Sequence, residues 1–405
     1  MKPNSQLDIN FISLIFGSMF GYIVLVLTMP ILTRLYSPAS FGDLSFYLSA
    51  VGLVSVVASG KFELKIAPAK TLKQAKGFVA ITIIYSIIFL LLTSLLVAIT
   101  KLYVYDFESG VSIHLVVLGA LLIAVYNALI NFNLFLERYI LISQTNASRT
   151  ILTSLMQLFL TFMTVNSMGL ILGDVVGRLA GLRILSIKIM NDFVLNLKEL
   201  FVLFKAHFKE SFIVSIGWFL NNSAIHMIPI YIYYKYGHEA AGLIFIIQRV
   251  FSLPELIISK NVNLYFTGKY SSLLRSNDAE SAAALLSKFI FRLFMFAIIA
   301  TSIIWIILSN YFGLIFGDGW SLPEGLLLSI SLIYFTQYFS SPFYIALNLK
   351  ENSYIQSVWD LTRFISISFV LIYFYFYQVD VEMFLLVYGL VISLFNMVLI
   401  YLLKK

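Results

Sequence analysis

Long apolar runs separated by short polar stretches make up most of this chain. Twelve runs stand out, at about residues 9–31, 43–60, 77–100, 113–136, 150–166, 169–190, 211–234, 241–259, 289–312, 322–347, 356–377 and 383–403. A helix needs about 20 apolar residues to cross the hydrocarbon of a bilayer, so the pattern predicts about twelve transmembrane helices. Between the sixth and seventh runs the pattern changes. Phe193, Leu197, Leu200, Phe201, Phe204 and Phe208 recur at helical spacing, with Lys198, Glu199, Lys205, Lys209 and Glu210 on the other side. That amphipathic segment predicts a helix lying flat on the cytoplasmic interface. It divides the chain into an N-terminal bundle (1–190), a linker (191–210) and a C-terminal bundle (211–405).

Composition supports lipid as the solvent. Hydrophobic residues make up 60% of the 405 and charged residues only 12%, with a mean hydropathy of +0.93. That is more apolar surface than a water-soluble core of this length hides. Placing the N-terminus in the cytoplasm puts 22 of the 27 Lys and Arg on that side, Arg138, Arg149, Arg292 and Arg363 counted among them. Arg34, Lys101 and Lys235 fall outside, and Arg178 and Arg249 lie within runs. Basic residues accumulate in cytoplasmic loops, so both termini are expected inside. The formal charge of +7 then belongs to one membrane face, suited to anionic lipid, and is spread over too many loops to suggest nucleic-acid binding. The run from Ile9 to Val26 lacks a cleavage pattern and reads as a retained first span.

Several local signals refine the map. Ser37-Pro38 reads as a cap and first helical position, and Ser321 with Glu324 as a capping box. The cluster Tyr231, Tyr233, Tyr234 and Tyr236 fits an outer aromatic belt, with a sugar-stacking platform as the other reading. The halves also repeat weakly. Gly17, Tyr36 and Gly42 recur 200 residues later as Gly217, Tyr236 and Gly242, and Pro30 has a near counterpart in Pro229. Glu137 and Arg149 recur 214 later as Glu351 and Arg363. Six spans per half give a parallel repeat, as in many transporters.

Catalytic and metal chemistry find no support. Cysteine is absent. The four histidines, His114, His207, His226 and His238, share no metal-ligand spacing, and there is no nucleotide-binding glycine loop. Candidate chemistry therefore rests on polar residues inside spans, where they face cavities or pair with one another. In span six, Gly173, Gly177 and Gly181 form a small-residue stripe, and Asp174 precedes Arg178 by four residues, the favourable order for a helix ion pair. Arg249 lies inside span eight with Pro254 and Glu255 beyond it, and is expected to face a cavity. Lys61 and Glu63 mark the inner mouth of span two, either as site residues or as a solvated flank. Arg34 reads as a partner for a helix C-terminus or a substrate contact. Asn221, Asn222, Ser223 and His226 give span seven a polar face.

Four segments carry a family resemblance. They are PILTRLYSPASFG (30–42), GKFELKIAP (60–68), LERYILISQTNASR (136–149) and GLILGDVVGRLAG (169–181). With the length and layout of the chain, they resemble the polysaccharide transporter family, the Wzx-type O-antigen flippases of bacteria. The resemblance implies the fold of the multidrug/oligosaccharidyl-lipid/polysaccharide exporter superfamily: an all-α integral membrane protein of two pseudo-symmetric six-helix bundles forming a V around a central cavity. It implies a non-enzymatic flippase of the bacterial cytoplasmic (inner) membrane. Such a protein moves an undecaprenyl-diphosphate-linked glycan to the outer leaflet by alternating access, alongside other polysaccharide-assembly membrane proteins. Basic residues matching the family's cavity charges would be Arg34, Lys61, Arg178 and Arg249. At Lys61, Lys replaces the commoner Arg and loses its planar fork. No cofactor is implied. Net direction needs an H+ or Na+ gradient, the membrane potential or removal of product outside, and Asp174 and Glu255 are the embedded acids to consider as cation sites. A multidrug/cation antiporter of the same superfamily and a membrane polysaccharide polymerase or ligase are the rival readings. The first would favour an acidic cavity, and the second a long outer loop, which the chain lacks.

Overall fold

The computed structural model describes residues 21, 23–103, 111–164, 166–186, 196–276, 278–344 and 354–404. Lys2, Gly17, Lys188, Phe193, Lys350, Glu351 and Lys405 therefore lie outside the described residues. Helices account for nearly all of the described chain: α1 (Ile23–Leu35), α2 (Pro38–Ala58), α3 (Leu72–Tyr103), α4 (Ile113–Phe135), α5 (Tyr139–Leu160), α6 (Met168–Ser186), α7 (Leu197–Tyr236), α8 (His238–Arg275), α9 (Ala279–Phe316), α10 (Glu324–Ser340), α11 (Tyr354–Phe376) and α12 (Val381–Lys404). Among the described residues, seven are both long and apolar enough to cross a membrane: α2, α3, α4, α7, α9, α11 and α12. The others fall short for visible reasons. Asp174, Arg178 and Arg183 lower the hydropathy of α6, charges are spread along α8, amides and hydroxyls along α5, and α10 has only 17 residues.

Local chemistry sets the helix limits. Ser37 Oγ accepts the Ser40 N–H at 3.3 Å, and Pro38 opens α2 as expected. The capping box expected at Ser321 and Glu324 does not form. Pro323 holds the cap position of α10 with no side-chain bond, because its ring already fixes the extended entry. The amphipathic segment is not a separate helix either. It forms the first turns of α7, which runs 40 residues without a break because neither Gly nor Pro intervenes before Gly217. Its apolar side covers α3, with Leu200 and Leu203 over Gly77. Its polar side pairs Glu210 with Lys65 at 2.5 Å and Glu199 with Lys73 at 2.7 Å. The Lys65 ammonium holds the Glu210 carboxyl below the usual carboxylate range.

The apolar core has a forked layout. One continuous cluster joins both halves. It includes Phe41, Tyr47, Val116 and Leu170 from the first and Ile228, Ile246, Phe316, Ile330 and Phe384 from the second. At the opposite ends of the same helices the core divides. Phe62, Phe78, Phe132 and Leu185 form one cluster, and Phe266, Leu286, Phe343, Trp359 and Leu403 another. The two halves thus share one buried cluster toward one end, here called the sealed end, and have separate clusters toward the other.

At the sealed end α2 packs against α7 and α8. A Cβ on Gly42 would collide with the His238 carbonyl, and one on Gly242 with the Pro38 carbonyl. Adding 200 to one contact gives the other, the reciprocity that a two-fold relation produces. The Tyr233 hydroxyl donates to Asp43 at 2.8 Å, and His238 Nδ1 lies 3.1 Å from the same carboxylate. The Phe41 ring meets the edge of Trp320 at 5.5 Å, and the Trp320 indole N–H donates to the Thr33 carbonyl at 3.0 Å.

Candidate functional site

A cavity of about 380 Å³ opens where the shared core divides. Ser45 and Ser49 of α2 form one wall, and His226 and Pro229 of α7 another. Gln248 of α8, Gln337 of α10, Trp359 and Arg363 of α11 and Asn396 of α12 complete it, with the rings of Tyr334, Tyr344 and Tyr388 between them. No Asp or Glu is among these lining residues. The volume falls within the roughly 300–1,000 Å³ of small-molecule sites.

Arg363 is the cation of this site. It lies nine residues into α11, about 14 Å along the axis at 1.5 Å per residue, near the middle of a spanning helix. The charge count treats it as a loop residue, whereas the structure places it within a helix. The apolar run around it is helix on both sides, not loop. The guanidinium stacks over the Trp359 ring at 4.6 Å. Its Nε and Nη2 are buried, and no protein acceptor reaches them among the described residues. Asp360, one turn away, is already engaged. Its Oδ1 accepts from the Asn221 amide at 2.7 Å and its Oδ2 from the Tyr344 hydroxyl at 2.6 Å. The polar face of α7 thus splits its work: Asn221 bonds across helices, while His226 lines the cavity. Arg149 is corrected likewise, lying ten residues into α5 with its guanidinium 5.0 Å from the centre of the Tyr126 ring.

The other candidates lie elsewhere. Arg34 spans the two halves at the sealed end. It donates to the Pro30 carbonyl at 2.6 Å and to the Ile315 and Leu314 carbonyls at 2.7 and 2.6 Å, closing the last turn of α9. Lys61 is not a solvated flank. It is 8% exposed, sits in a left-handed turn after Gly60, bonds Glu63 at 3.3 Å and lies 4.6 Å from the Trp218 ring. Arg178 Nε donates to Asp174 at 2.6 Å within α6, with both side chains largely buried. The glycine stripe beside them lets α5 approach, since a Cβ on Gly177 would strike Thr153. Arg249 stacks on Phe245 at 4.8 Å, and it is Phe245 and Gln248 that line the cavity from this part of α8. Glu255 accepts from the Gln337 amide at 2.8 Å, one side chain behind the cavity wall. The Tyr cluster packs largely against other helices. Tyr231 and Tyr236 pack on Phe384 and Tyr233 stacks on His238, with Tyr234 alone well exposed.

No family model matches this chain, and no curated protein matches it. Solved structures do. An inward-facing multidrug resistance MATE family transporter of the MOP superfamily aligns over 97% of this chain and 93% of its own, with a TM-score of 0.61 at 14% identity. A MATE in complex with MaD3S aligns over 98% and 96%, with a TM-score of 0.55 at 14% identity. An outward-facing MATE family transporter aligns over 98% and 96%, with a TM-score of 0.51 at 14% identity. The described residues are helical almost throughout, with several helices long and apolar enough to make a multi-pass membrane protein, and they share the fold of these MOP-superfamily transporters.

Proposed function

We propose that this protein is a flippase, moving an amphiphilic anionic glycan between membrane leaflets by alternating access. In this reading the substrate is an undecaprenyl-diphosphate-linked oligosaccharide, taken from the inner to the outer leaflet of a bacterial cytoplasmic membrane. The two six-helix bundles form a V, with the sealed end outside and both termini in the cytoplasm. The observation that carries the reading is the cavity at the fork, whose lining includes a buried guanidinium and no carboxylate. A hydrophilic head cannot cross about 30 Å of hydrocarbon unaided. A polar chamber between rocking bundles shelters it while the lipid tail stays in the bilayer. Closure of the split end and release of the Arg34, Trp320 and Gly42–Gly242 contacts would expose the chamber to the other side. In this reading Arg34 works in the gate and Lys61 at the inner mouth, while Arg178 and Arg249 shape the walls. Of the two acids considered for H+ or Na+ coupling, Glu255 stands beside the chamber, while Asp174 is engaged by Arg178 on its own helix.

One observation favours a second reading, a multidrug or cation antiporter. Glu255 stands behind Gln337, and exchange of that hydrogen bond would give a cation a carboxylate close to the chamber. Two assays separate the readings. Bacteria deleted for their own flippase and supplied with this chain should regain surface glycan with at least one defined repeat unit. The same cells should gain no resistance to cationic dyes. Dye resistance without surface glycan would replace the flippase with the antiporter.

A further inference from the structure

We propose that the groove between α3 and the first half of α7 binds a membrane phospholipid with an anionic headgroup, its acyl chain along the α7 aromatics and its head at Lys205 and Lys209. The site lies outside the chamber described above and stands whichever substrate the chamber takes.

A second cavity, of about 150 Å³, lies at the end where the apolar cores are separate. Phe62 and Tyr85 line it from the first half, and Phe208, Phe212, Ile216 and Phe219 from α7. The lining hydroxyl on α7, Ser215, is spent on the Ser211 carbonyl at 2.9 Å, so this wall offers no free donor. A water-soluble ligand would lose its hydrogen bonds there, and hydrocarbon has none to lose. Phe212 is 52% and Ile216 46% exposed, so an arriving chain finds surface to cover. The rings are set in advance, Phe204 meeting Phe208 at 5.1 Å and Phe208 stacking on Phe212 at 5.9 Å, which lowers the cost of ordering them on binding.

Length points to the occupant. Phe208 to Phe219 is eleven residues, about 16 Å along a helix, against about 15 Å for half of a bilayer's hydrocarbon layer. The row has the depth of one leaflet and fits one acyl chain. Charge points to the head. Lys205 and Lys209 stand three residues before Phe208 and Phe212, the spacing that puts side chains on one helix face. Both are exposed, and neither forms an ion pair among the described residues. The nearby acids are taken, Glu210 by Lys65 and Glu199 by Lys73. Two cations at the mouth of a groove one leaflet deep match an anionic phospholipid. A zwitterionic lipid would fill the groove and leave both charges unanswered, and a free phosphate would meet the lysines and leave the rings bare. A prenyl tail long enough to pass the leaflet midplane would overrun the row. Because α7 joins the first-half cluster at Leu200 and the shared core at Ala224, a lipid seated here braces a helix that belongs to both halves.

The test uses the full chain, purified in neutral detergent and stripped of lipid. Dioleoyl phosphatidylglycerol and dioleoyl phosphatidylcholine, which share their acyl chains, are titrated against its unfolding midpoint, with a prenyl monophosphate as the third probe. Phosphatidylglycerol should bind at least ~10-fold more tightly than phosphatidylcholine, as two basic residues at a lipid surface supply. Lys205→Gln combined with Lys209→Gln, both at exposed positions, should abolish that preference and leave phosphatidylcholine binding unchanged. Ile216→Trp, which fills the groove, should weaken both lipids at least ~4-fold, the worth of one methylene kept out. Phe212→Ala takes its place should the tryptophan variant fail to fold. Equal affinity for the two phospholipids, a preference that survives the double lysine change, or binding indifferent to the groove variants would each overturn the proposal. So would prenyl phosphate binding more tightly than phosphatidylglycerol through the same residues, which would give the groove to the tail of the cargo. None of these residues lines the chamber, so loss of the lipid site leaves the transport reading untouched, and absence of glycan export leaves the lipid site standing.

Discussion

Each half of the molecule carries charged groups deep in its helices, and two of them, Arg178 and Arg363, are met in different ways. In the first, Arg178 donates to Asp174 on its own helix at 2.6 Å, and the pair is buried. In the second, α12 carries no charge between Glu382 and Lys404, and Arg363 of α11 stacks over Trp359, its Nε and Nη2 buried without an acceptor among the described residues. The repeat sharpens the contrast. Arg149 and Arg363 stand at matching places, 214 residues apart, each over an aromatic ring. A buried charge whose partner is built into the same helix is part of the scaffold.

The largest expected effect would break the first side of this comparison. Asp174→Asn keeps the shape of the side chain and leaves Arg178 buried without its counter-charge. Removing one partner of a buried pair costs about 3–5 kcal/mol, so thermal unfolding of the purified protein should begin far earlier. Asp174→Leu combined with Arg178→Met should recover most of the loss, since a well-packed apolar pair often equals a buried ion pair. A single variant that melts with the unaltered protein would show that the pair is not a structural lock.

Next come the close approaches. Gly177→Val should cost about 1–3 kcal/mol by overpacking α6 on Thr153. Gly217→Ala, with nothing within 4 Å of the new methyl, should be neutral or gain up to ~1 kcal/mol in helix propensity. Gly242→Val acts on the sealed end, where the added atoms meet the Pro38 carbonyl of the other half. The chain has no cysteine of its own, so a single Cys at Phe41 reports on that seam. Its labelling by an impermeant maleimide should be slow, and faster once Gly242→Val is added. Unchanged labelling would mean that the glycine contact does not hold the seam shut.

Much of this was legible in the chain. Apolar run length gave the helices, because a lipid-exposed surface leaves few other choices. Spacing gave the Asp174–Arg178 pair and the glycine stripe, because partners four apart on one helix meet whatever the tertiary fold. The Gly42 and Gly242 repeat marks two equivalent positions, and only the structure shows that they approach each other. What failed was anything set by contact between distant segments. Arg363 was placed with the loop charges because basic residues are common at helix ends, though the apolar run 356–377 already enclosed it. The twelve-residue spacing after Glu137 and Glu351 was the signal that could have moved both arginines inward. Lys61 looked solvated because Trp218, which covers it, comes from a helix over 150 positions away. The Tyr cluster looked like a membrane belt because its partners Asp43, His238 and Phe384 lie on three other helices.

The smallest effect on stability is the sharpest for the comparison. Arg363→Met keeps an unbranched side chain of similar length over Trp359 and deletes the charge. If Arg363 were scaffold like Arg178, this change would destabilise the fold. If it is held for a ligand, removal relieves an unmet burial, and the unfolding midpoint should stay the same or rise by the equivalent of about 1 kcal/mol. The expectation for stability follows from one observation, that two buried donors of this guanidinium have no acceptor among the described residues. A midpoint lowered as far as in Asp174→Asn would place Arg363 with the structural charges and erase the distinction between the halves.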